Sequence, residues 1–265
     1  MDLTQLDKPP GGRNPFGDPV TPVIRQTEDC LFLDIYVPVK AFQNDTAPLP
    51  VIAYIYGGGY VMGSKDEFPA LYTGAPLIKA SDYQTIFIAG NYRVGAFGWL
   101  AGRYMEKAGQ PNAGLYDQAL MLEWIQRYVG QIKGDKGSVS AWGESAGGGS
   151  ILHHLVREDG ARDPLFNTFA VQSPAFQWAW DNSENGLMDT VYRNFSKLAG
   201  CGYAYDLDCL RKRGRDELIR ANQDLFQYVK QTGLFPVGPS VDGKWITTIP
   251  AISLSEGTAT LRENH

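Results

Sequence analysis

The stretch SVSAWGESAGGGSILHHLV, residues 138–156, decides how this chain is interpreted. Residues 138–142 are typical of a β-strand, and the residues after 145 are typical of a helix. Between them, Gly143-Glu144-Ser145-Ala146-Gly147 fits the pattern G-x-S-x-G. Glycines on both sides allow a sharp turn and keep other side chains away from the serine oxygen. The stretch therefore predicts a nucleophile elbow, with Ser145 exposed at the carboxyl end of its strand.

A second glycine motif lies upstream and supports this interpretation. The apolar run VIAYIY, residues 51–56, is typical of a strand and ends in Gly57-Gly58-Gly59. The helix after Ser145 would point unpaired N–H groups at a developing negative charge, and the Ala146 amide would be one donor. A glycine run after an earlier strand is where the second half of an oxyanion hole is expected. The two motifs together favour a reactive serine over a chance match.

The order of the elements predicts an α/β fold with a mostly parallel sheet flanked by helices. Further strands are predicted at 30–38, 85–93 and 166–172. A helix is predicted from Asn112 as its N-cap, with one apolar face made by Leu115, Ala119, Leu122, Ile125, Val129 and Ile132. Strands that alternate with helices favour right-handed crossovers. Residues 1–27, rich in Pro and Gly, read as an extended arm before one domain over 28–265.

Composition excludes several classes of function. The formal net charge is −5 with mixed signs along the chain, so there is no basic footprint for nucleic acid or an anionic membrane. No apolar run approaches the roughly 18 residues of a membrane helix, and the first residues lack the order of a signal peptide. Cys201 and Cys209 are close enough to close a small loop, which leaves Cys30 as a free thiol. No metal or other cofactor is implied.

Several segments in order resemble the type-B carboxylesterases and lipases, which include cholinesterases and many fungal esterases. The resemblance covers about residues 28–250 and implies an α/β-hydrolase fold. The segments that carry it are EDCLFLDIYVP (28–38), YGGGYVMGS (56–64), NYRVGAFGWL (91–100), NAGLYDQALMLEWI (112–125), GESAGG (143–148) and QSPA (172–175).

The resemblance implies a role for individual residues. Ser145 would form the acyl-enzyme with a small-molecule ester, and the amides of Gly58, Gly59 and Ala146 would form the oxyanion hole. Glu144 looks like the family's acidic neighbour, which tunes the field at the site; an exposed turn residue is the equal alternative. Many lipases have a histidine where this chain has Tyr56.

The resemblance also extends to residues outside the reacting centre. Cys201 and Cys209 look like the family's second disulfide loop. Trp178 and Trp180 lie where relatives place an aromatic wall of the acyl pocket, with a plain core role as the alternative. Cholinesterases have a tryptophan near the position of Val20, so choline esters are disfavoured for lack of a cation–π platform.

The general base is the open question. His153 and His154 follow Ser145 by eight and nine residues, which on a helix is about 12 to 13 Å along the axis. A base must come within about 3 Å of the hydroxyl. Both are expected to be packed or solvated residues of the helix face. His265 is the last residue of the chain, where the backbone frays unless other contacts hold it, so it is not expected to be the base either. In the family's order of Ser, acid and His, the last two fall past residue 265.

The sequence therefore predicts an incomplete α/β-hydrolase that lacks its C-terminal strands and takes its acid and base from a second chain or from residues outside this one. The leading hypothesis is a serine carboxylic ester hydrolase, with a lipase for long acyl chains as a variant. The alternative is an inactive, esterase-like remnant or binding protein. The family and the cysteine pair favour secretion, whereas the opening residues leave a cytoplasmic location open.

Overall fold

The computed structural model describes residues 27–43, 46–66, 73–176, 182–228 and 236–260. These residues fall into two compact units. The larger unit holds residues 31–192 and 237–260, and the smaller one holds residues 193–236 together with Cys30 and the described residues before it. The predicted arm lies almost wholly outside the described residues, and the single domain over 28–265 stays a prediction.

A five-stranded sheet forms the centre of the larger unit. Its spatial order is β1-β3-β2-β4-β5, and only the β1–β3 pair is antiparallel. Every residue of β3 is buried, as expected for a strand of a parallel sheet that is covered on both faces. The mostly parallel sheet is confirmed, and its strands are β1 (Leu33–Tyr36), β2 (Leu49–Ile55), β3 (Ile86–Gly90), β4 (Gly134–Glu144) and β5 (Thr168–Gln172).

The register of the sheet brings two strand ends together. Ile55 at the end of β2 pairs with Gly143 near the end of β4, and the two strands are parallel. Their carboxyl ends therefore lie side by side at one edge of the sheet. Both glycine motifs of the sequence follow these two strands directly.

Helices flank the sheet as predicted. The larger unit contains α1 (Ala75–Ala80), α2 (Ala96–Trp99), α3 (Arg103–Ala108), α4 (Ala113–Tyr128), α5 (Ala146–Leu155) and α9 (Pro250–Ser255). On α4 the side chains of Leu115, Leu122 and Ile125 are fully buried, which confirms the apolar face. No helix among the described residues is both long and apolar enough to span a membrane.

Asn112 stands at the N-cap position of α4 as predicted, but its side chain does not cap the helix. Asn112 has a left-handed backbone with φ of 56° and makes no capping hydrogen bond. Its side chain instead pairs with the backbone of Ser240: Nδ2 donates to the carbonyl oxygen at 2.9 Å, and Oδ1 accepts from the amide at 2.8 Å. Asparagine tolerates left-handed backbone, and this distant partner satisfies the amide that a cap would have used.

The smaller unit takes the end of α6 (Leu187–Leu198), then α7 (Leu207–Arg211) and α8 (Arg215–Tyr228). A disulfide joins Cys201 and Cys209 across a separation of eight residues. Asp206 caps α7 by accepting a hydrogen bond from the Cys209 amide at 2.8 Å. Arg213 donates to the Gly200 carbonyl at 2.7 Å and so braces the same loop.

Candidate active site

Ser145 lies on the sharp turn between β4 and α5. Its backbone angles are φ 53° and ψ −120°, a conformation that a side chain makes costly by about 1–3 kcal/mol. Three hydrogen bonds hold it there: Ser145 N donates to Gln172 O at 2.9 Å, and Ser145 O accepts from Gly149 N at 2.9 Å and Ala175 N at 2.8 Å. The surrounding backbone therefore fixes a half-buried serine in a strained conformation.

The glycines of the elbow allow the start of α5 to approach β2. A Cβ on Gly147 would lie 2.0 Å from the carbonyl oxygen of Ile55, and one on Gly143 would lie 2.6 Å from the carbonyl carbon of Gly147. Neither distance is compatible with a side chain. Close packing, as well as the turn, explains why the pattern requires these two glycines.

The glycine turn, residues 57–60, lies beside the elbow. Gly58, Gly59 and Tyr60 all have positive φ, at 112°, 62° and 66°. A Cβ on Gly57 would lie 3.1 Å from the Ser145 Cβ, so the two motifs are in contact. The amides of Gly58, Gly59 and Ala146 make no hydrogen bond within the described residues. The structure thus brings together the serine and three unpaired donors.

Glu144 lies along the glycine turn. Its Oε2 would be 2.8 Å from a Cβ at Gly57, and its side chain is half-buried. An aliphatic side chain at Gly57 would displace this carboxylate. Glu144 is therefore placed against the turn and is not an exposed residue.

Tyr56, the residue before the glycines, is part of a reciprocal tyrosine pair. The Tyr56 hydroxyl donates to Tyr92 O at 2.8 Å, and the Tyr92 hydroxyl donates to Tyr56 O at 2.9 Å. The two rings stack with centroids 4.3 Å apart. This pair anchors the end of β2 to the segment after β3, so Tyr56 fixes the backbone from which the glycine turn departs.

An ion pair supports the same segment from α4. Asp117, whose side chain is 4% exposed, accepts from Arg93 Nε and Nη2 at 2.8 Å each and from Arg93 N at 3.0 Å. Two residues further on, the Gly95 amide donates to Tyr60 O at 2.8 Å. The glycine turn is therefore held by backbone contacts that lead back to a buried carboxylate.

The two histidines of α5 are buried in the core. Burial lowers the pKa of His153 to about 3 and that of His154 to about 3, the latter with help from the Arg157 charge. His154 Nε2 lies 3.2 Å from Gln118 Oε1, and its ring meets Trp245 edge-on. His153 packs against Phe176, and its ring nitrogens have no hydrogen-bond partner within the described residues. Both are packed residues, in line with the expectation from their spacing.

Three predicted positions fall outside the described residues: Trp178, Trp180 and His265. One neighbour of the site, Tyr60, was not predicted. Its hydroxyl bonds to Ala175 O at 2.9 Å, across 115 residues of sequence, and no local pattern announces such a partner. Among the described residues, no cluster of His, Cys, Asp and Glu could hold a metal ion.

Known proteins match this chain in sequence and in structure. The sequence model of the carboxylesterase family matches residues 4–262. A secreted lipase of Arthroderma benhamiae is 42% identical over 87% of this chain and 44% of its own length. Carboxylesterase patB of Aspergillus clavatus is 37% identical over 88% of this chain and 42% of its own length.

Two solved structures are similar as well. A thermophilic pNB esterase gives a TM-score of 0.77 at 28% identity, over 90% of this chain and 46% of that one. Aspergillus niger EstA gives 0.74 at 30% identity, over 88% of this chain and 44% of that one. The chain spans less than half the length of each of these four relatives. These neighbours confirm the α/β-hydrolase fold, and the chain belongs to the carboxylesterase family.

Proposed function

We propose that this chain carries the nucleophile and the oxyanion hole of a serine carboxylic ester hydrolase. Ser145 attacks the carbonyl of a small-molecule ester, the amides of Gly58, Gly59 and Ala146 hold the oxyanion, and water then releases the acyl group. One observation carries the proposal. A serine with φ of 53° stands at a strand-to-helix turn, in contact with a glycine turn in which the Gly58 and Gly59 amides have no partner among the described residues.

The conformation of Ser145 favours a nucleophile over an ordinary turn residue. A strained non-glycine residue persists only where the surroundings hold it, and such residues cluster at reactive sites. Here three backbone hydrogen bonds hold it, although a glycine at this position would remove the strain. The side chain remains half-exposed, so an ester can reach it.

The unpaired amides favour binding of a negatively charged oxygen. Amides without acceptors are costly unless water or a ligand satisfies them. The Ala146 amide also belongs to the first turn of α5, where the helix dipole favours negative charge. In a serine hydrolase one such donor is worth about 10² to 10³ in kcat.

The base and the acid come from outside the described residues in this proposal. His154 already faces Gln118, and both histidines of α5 are packed in the core. A serine hydrolase that lacks its histidine loses on the order of a millionfold in turnover. The complete enzyme therefore recruits these groups from further sequence or from a second chain.

The remaining roles are proposed on the same basis. The carboxylate of Glu144 lies against Gly57 and acts on the field at the oxyanion hole. Trp178 and Trp180 line the acyl pocket. Secretion is supported by the disulfide between Cys201 and Cys209 and by a relative that is named a secreted lipase.

The experiment compares Ser145, which directly follows β4, with Ser138, which lies within the same strand. The full chain is incubated with a fluorophosphonate probe and with p-nitrophenyl acetate. It is tested both alone and joined to segments that could supply the missing acid and base. Ser145→Ala is expected to abolish labelling and turnover, whereas Ser138→Ala, at an exposed position of β4, retains both. Equal hydrolysis by Ser145→Ala and the parent would show that the assigned site is wrong.

A second function has a specific observation in its favour. Because both histidines near the elbow are buried, an esterase-like binding protein without catalysis also fits the described residues. Such a protein would bind a small ester without hydrolysing it. Labelling of Ser145 at ordinary esterase rates would exclude this alternative.

A further inference from the structure

Tyr60 is the last residue of the glycine turn and is almost fully buried. Its ring meets Trp99 edge-on, with centroids 4.9 Å apart, and its carbonyl accepts from the Gly95 amide at 2.8 Å. Its hydroxyl donates to the carbonyl of Ala175 at 2.9 Å. Burial raises the pKa of this hydroxyl, so it stays protonated and remains a donor.

Ala175 is also a direct partner of the nucleophile. Its amide donates to Ser145 O at 2.8 Å, while Ser145 N donates to Gln172 O at 2.9 Å. Residues 172–175 thus hold both backbone groups of Ser145. Since Tyr60 binds the carbonyl of the same Ala175, two hydrogen bonds through one residue connect the glycine turn with the nucleophile.

The surroundings of the Tyr60 hydroxyl are shaped to admit it. A Cβ on Gly149 would lie 2.4 Å from this hydroxyl and 2.3 Å from Ala175 O. Only glycine at this position of α5 lets the contact form. The next residue of α5, Ser150, is also buried, and its Oγ accepts from Gln118 Nε2 at 3.1 Å.

We propose that Tyr60 is a positioning residue, whose hydroxyl fixes the separation between the amides of the glycine turn and Ser145. This inference rests on the function proposed above for the two motifs. Gly58, Gly59 and Tyr60 are three consecutive residues with positive φ, and only Tyr60 has a side chain that makes this backbone costly, so it depends on contacts such as its hydroxyl bond. Oxyanion donors must lie about 2.7 to 3.1 Å from the developing charge, and a misplacement of about 1 Å costs on the order of 10²-fold in rate.

The first test measures the turn itself and needs no activity. Hydrogen exchange of the backbone amides is followed in the full chain and in Tyr60→Phe. Within residues 57–63 the amides of Val61 and Met62 donate to Gly58 O at 3.1 Å each, and we expect these two amides to exchange about five to ten times faster in the variant, the factor that loss of one ordinary hydrogen bond gives. The matched control is Thr85→Val, which removes a bond from Thr85 Oγ1 to Pro50 O at 3.0 Å that is part-buried, like the Tyr60 bond. The control should leave residues 57–63 at the parent rate.

The second test separates positioning from general stability. In a form of the protein that hydrolyses esters, Tyr60→Phe should lower kcat about tenfold with KM unchanged, because the oxyanion exists only after attack. Thr85→Val should change neither constant. Unchanged exchange at 57–63 in Tyr60→Phe, or equal acceleration there by Thr85→Val, overturns the positioning role. If no form of the protein reacts at Ser145, the proposed function fails, and the exchange result still decides the role of Tyr60.

Discussion

The two ends of α5 differ in how far their polar side chains are exposed. At its first turn a half-exposed, strained Ser145 precedes an Ala146 amide that has no acceptor in the described part of the chain. At its last turn His153 and His154 lie inside the core with their charge suppressed. A serine and two histidines lie within nine residues, yet they form no catalytic pair. Accessibility separates the two ends: Ser145 is half-exposed, whereas both histidines are buried, and the types of residue alone do not show this difference.

The largest expected effect breaks the first end of the helix. Gly147→Ala places a Cβ about 2.0 Å from Ile55 O, so α5 must move away from β2. We expect the free energy of unfolding to fall by about 4 kcal/mol. Destabilisation of this size is found for steric clashes in the core and for the loss of buried interactions. Urea denaturation checks this. Gly130→Ala, where a Cβ meets nothing within 4 Å, is the control and should change stability little. A Gly147→Ala variant as stable as the control would contradict the packing described.

Acidification tests the second end of the helix. The folded pKa of each histidine, about 3, lies below the ordinary value of 6.5, so the unfolded chain binds protons first as the pH falls. The stabilisation is complete above about pH 6.5 and is lost progressively as the pH falls towards 3. At about pH 5.5 these two histidines should make the free energy of unfolding about 3 kcal/mol lower than it is at neutral pH.

The histidine contribution is isolated by a double variant, His153→Leu with His154→Gln. Other groups also titrate in acid, so the quantity to measure is the difference between parent and variant from pH 7.5 to 5. The variant should lose less stability over this range than the parent. Parallel pH curves for the two proteins would show that these rings are not buried in neutral form.

The smallest effect distinguishes the two adjacent histidines. His153→Leu removes ring nitrogens that have no hydrogen-bond partner among the residues the structure describes, and it should stabilise the fold by about 1 kcal/mol at pH 8. His154→Leu leaves Gln118 Oε1 without its contact and should cost about 1–2 kcal/mol. Urea midpoints at fixed pH give both values. A change of the same sign for both would remove the distinction between them.

Much of the fold was predictable because its signals are local. The strands around 51–56 and 85–93 follow from apolar runs, and the elbow follows from glycines within five residues. The helices α1, α2, α3, α7 and α9 have six residues or fewer, too few for an apolar period to show. The positions of such short helices depend on contacts with distant parts of the chain, which the local sequence does not show.

The site was predictable where backbone sterics dominate and unpredictable where distant partners dominate. The contact between Gly57 and Ser145 requires a glycine at position 57, and that glycine is visible in the sequence. Asn112 reads as a cap, whereas its partner Ser240 lies 128 residues away. The role of Tyr60 could not be predicted either, because its acceptor, Ala175 O, lies 115 residues away in sequence and comes near only in the folded chain.

The glycines at the start of α5 have a further consequence for folding kinetics. Gly147, Gly148 and Gly149 each lower helix propensity by about 1 kcal/mol relative to alanine, in a helix of only ten residues. Isolated helices shorter than about 12–15 residues are already marginal in water. We therefore expect this helix to form only against β2 and β4, after these strands have paired. We therefore expect the turn at Ser145 to be among the last parts of the sheet's edge to form.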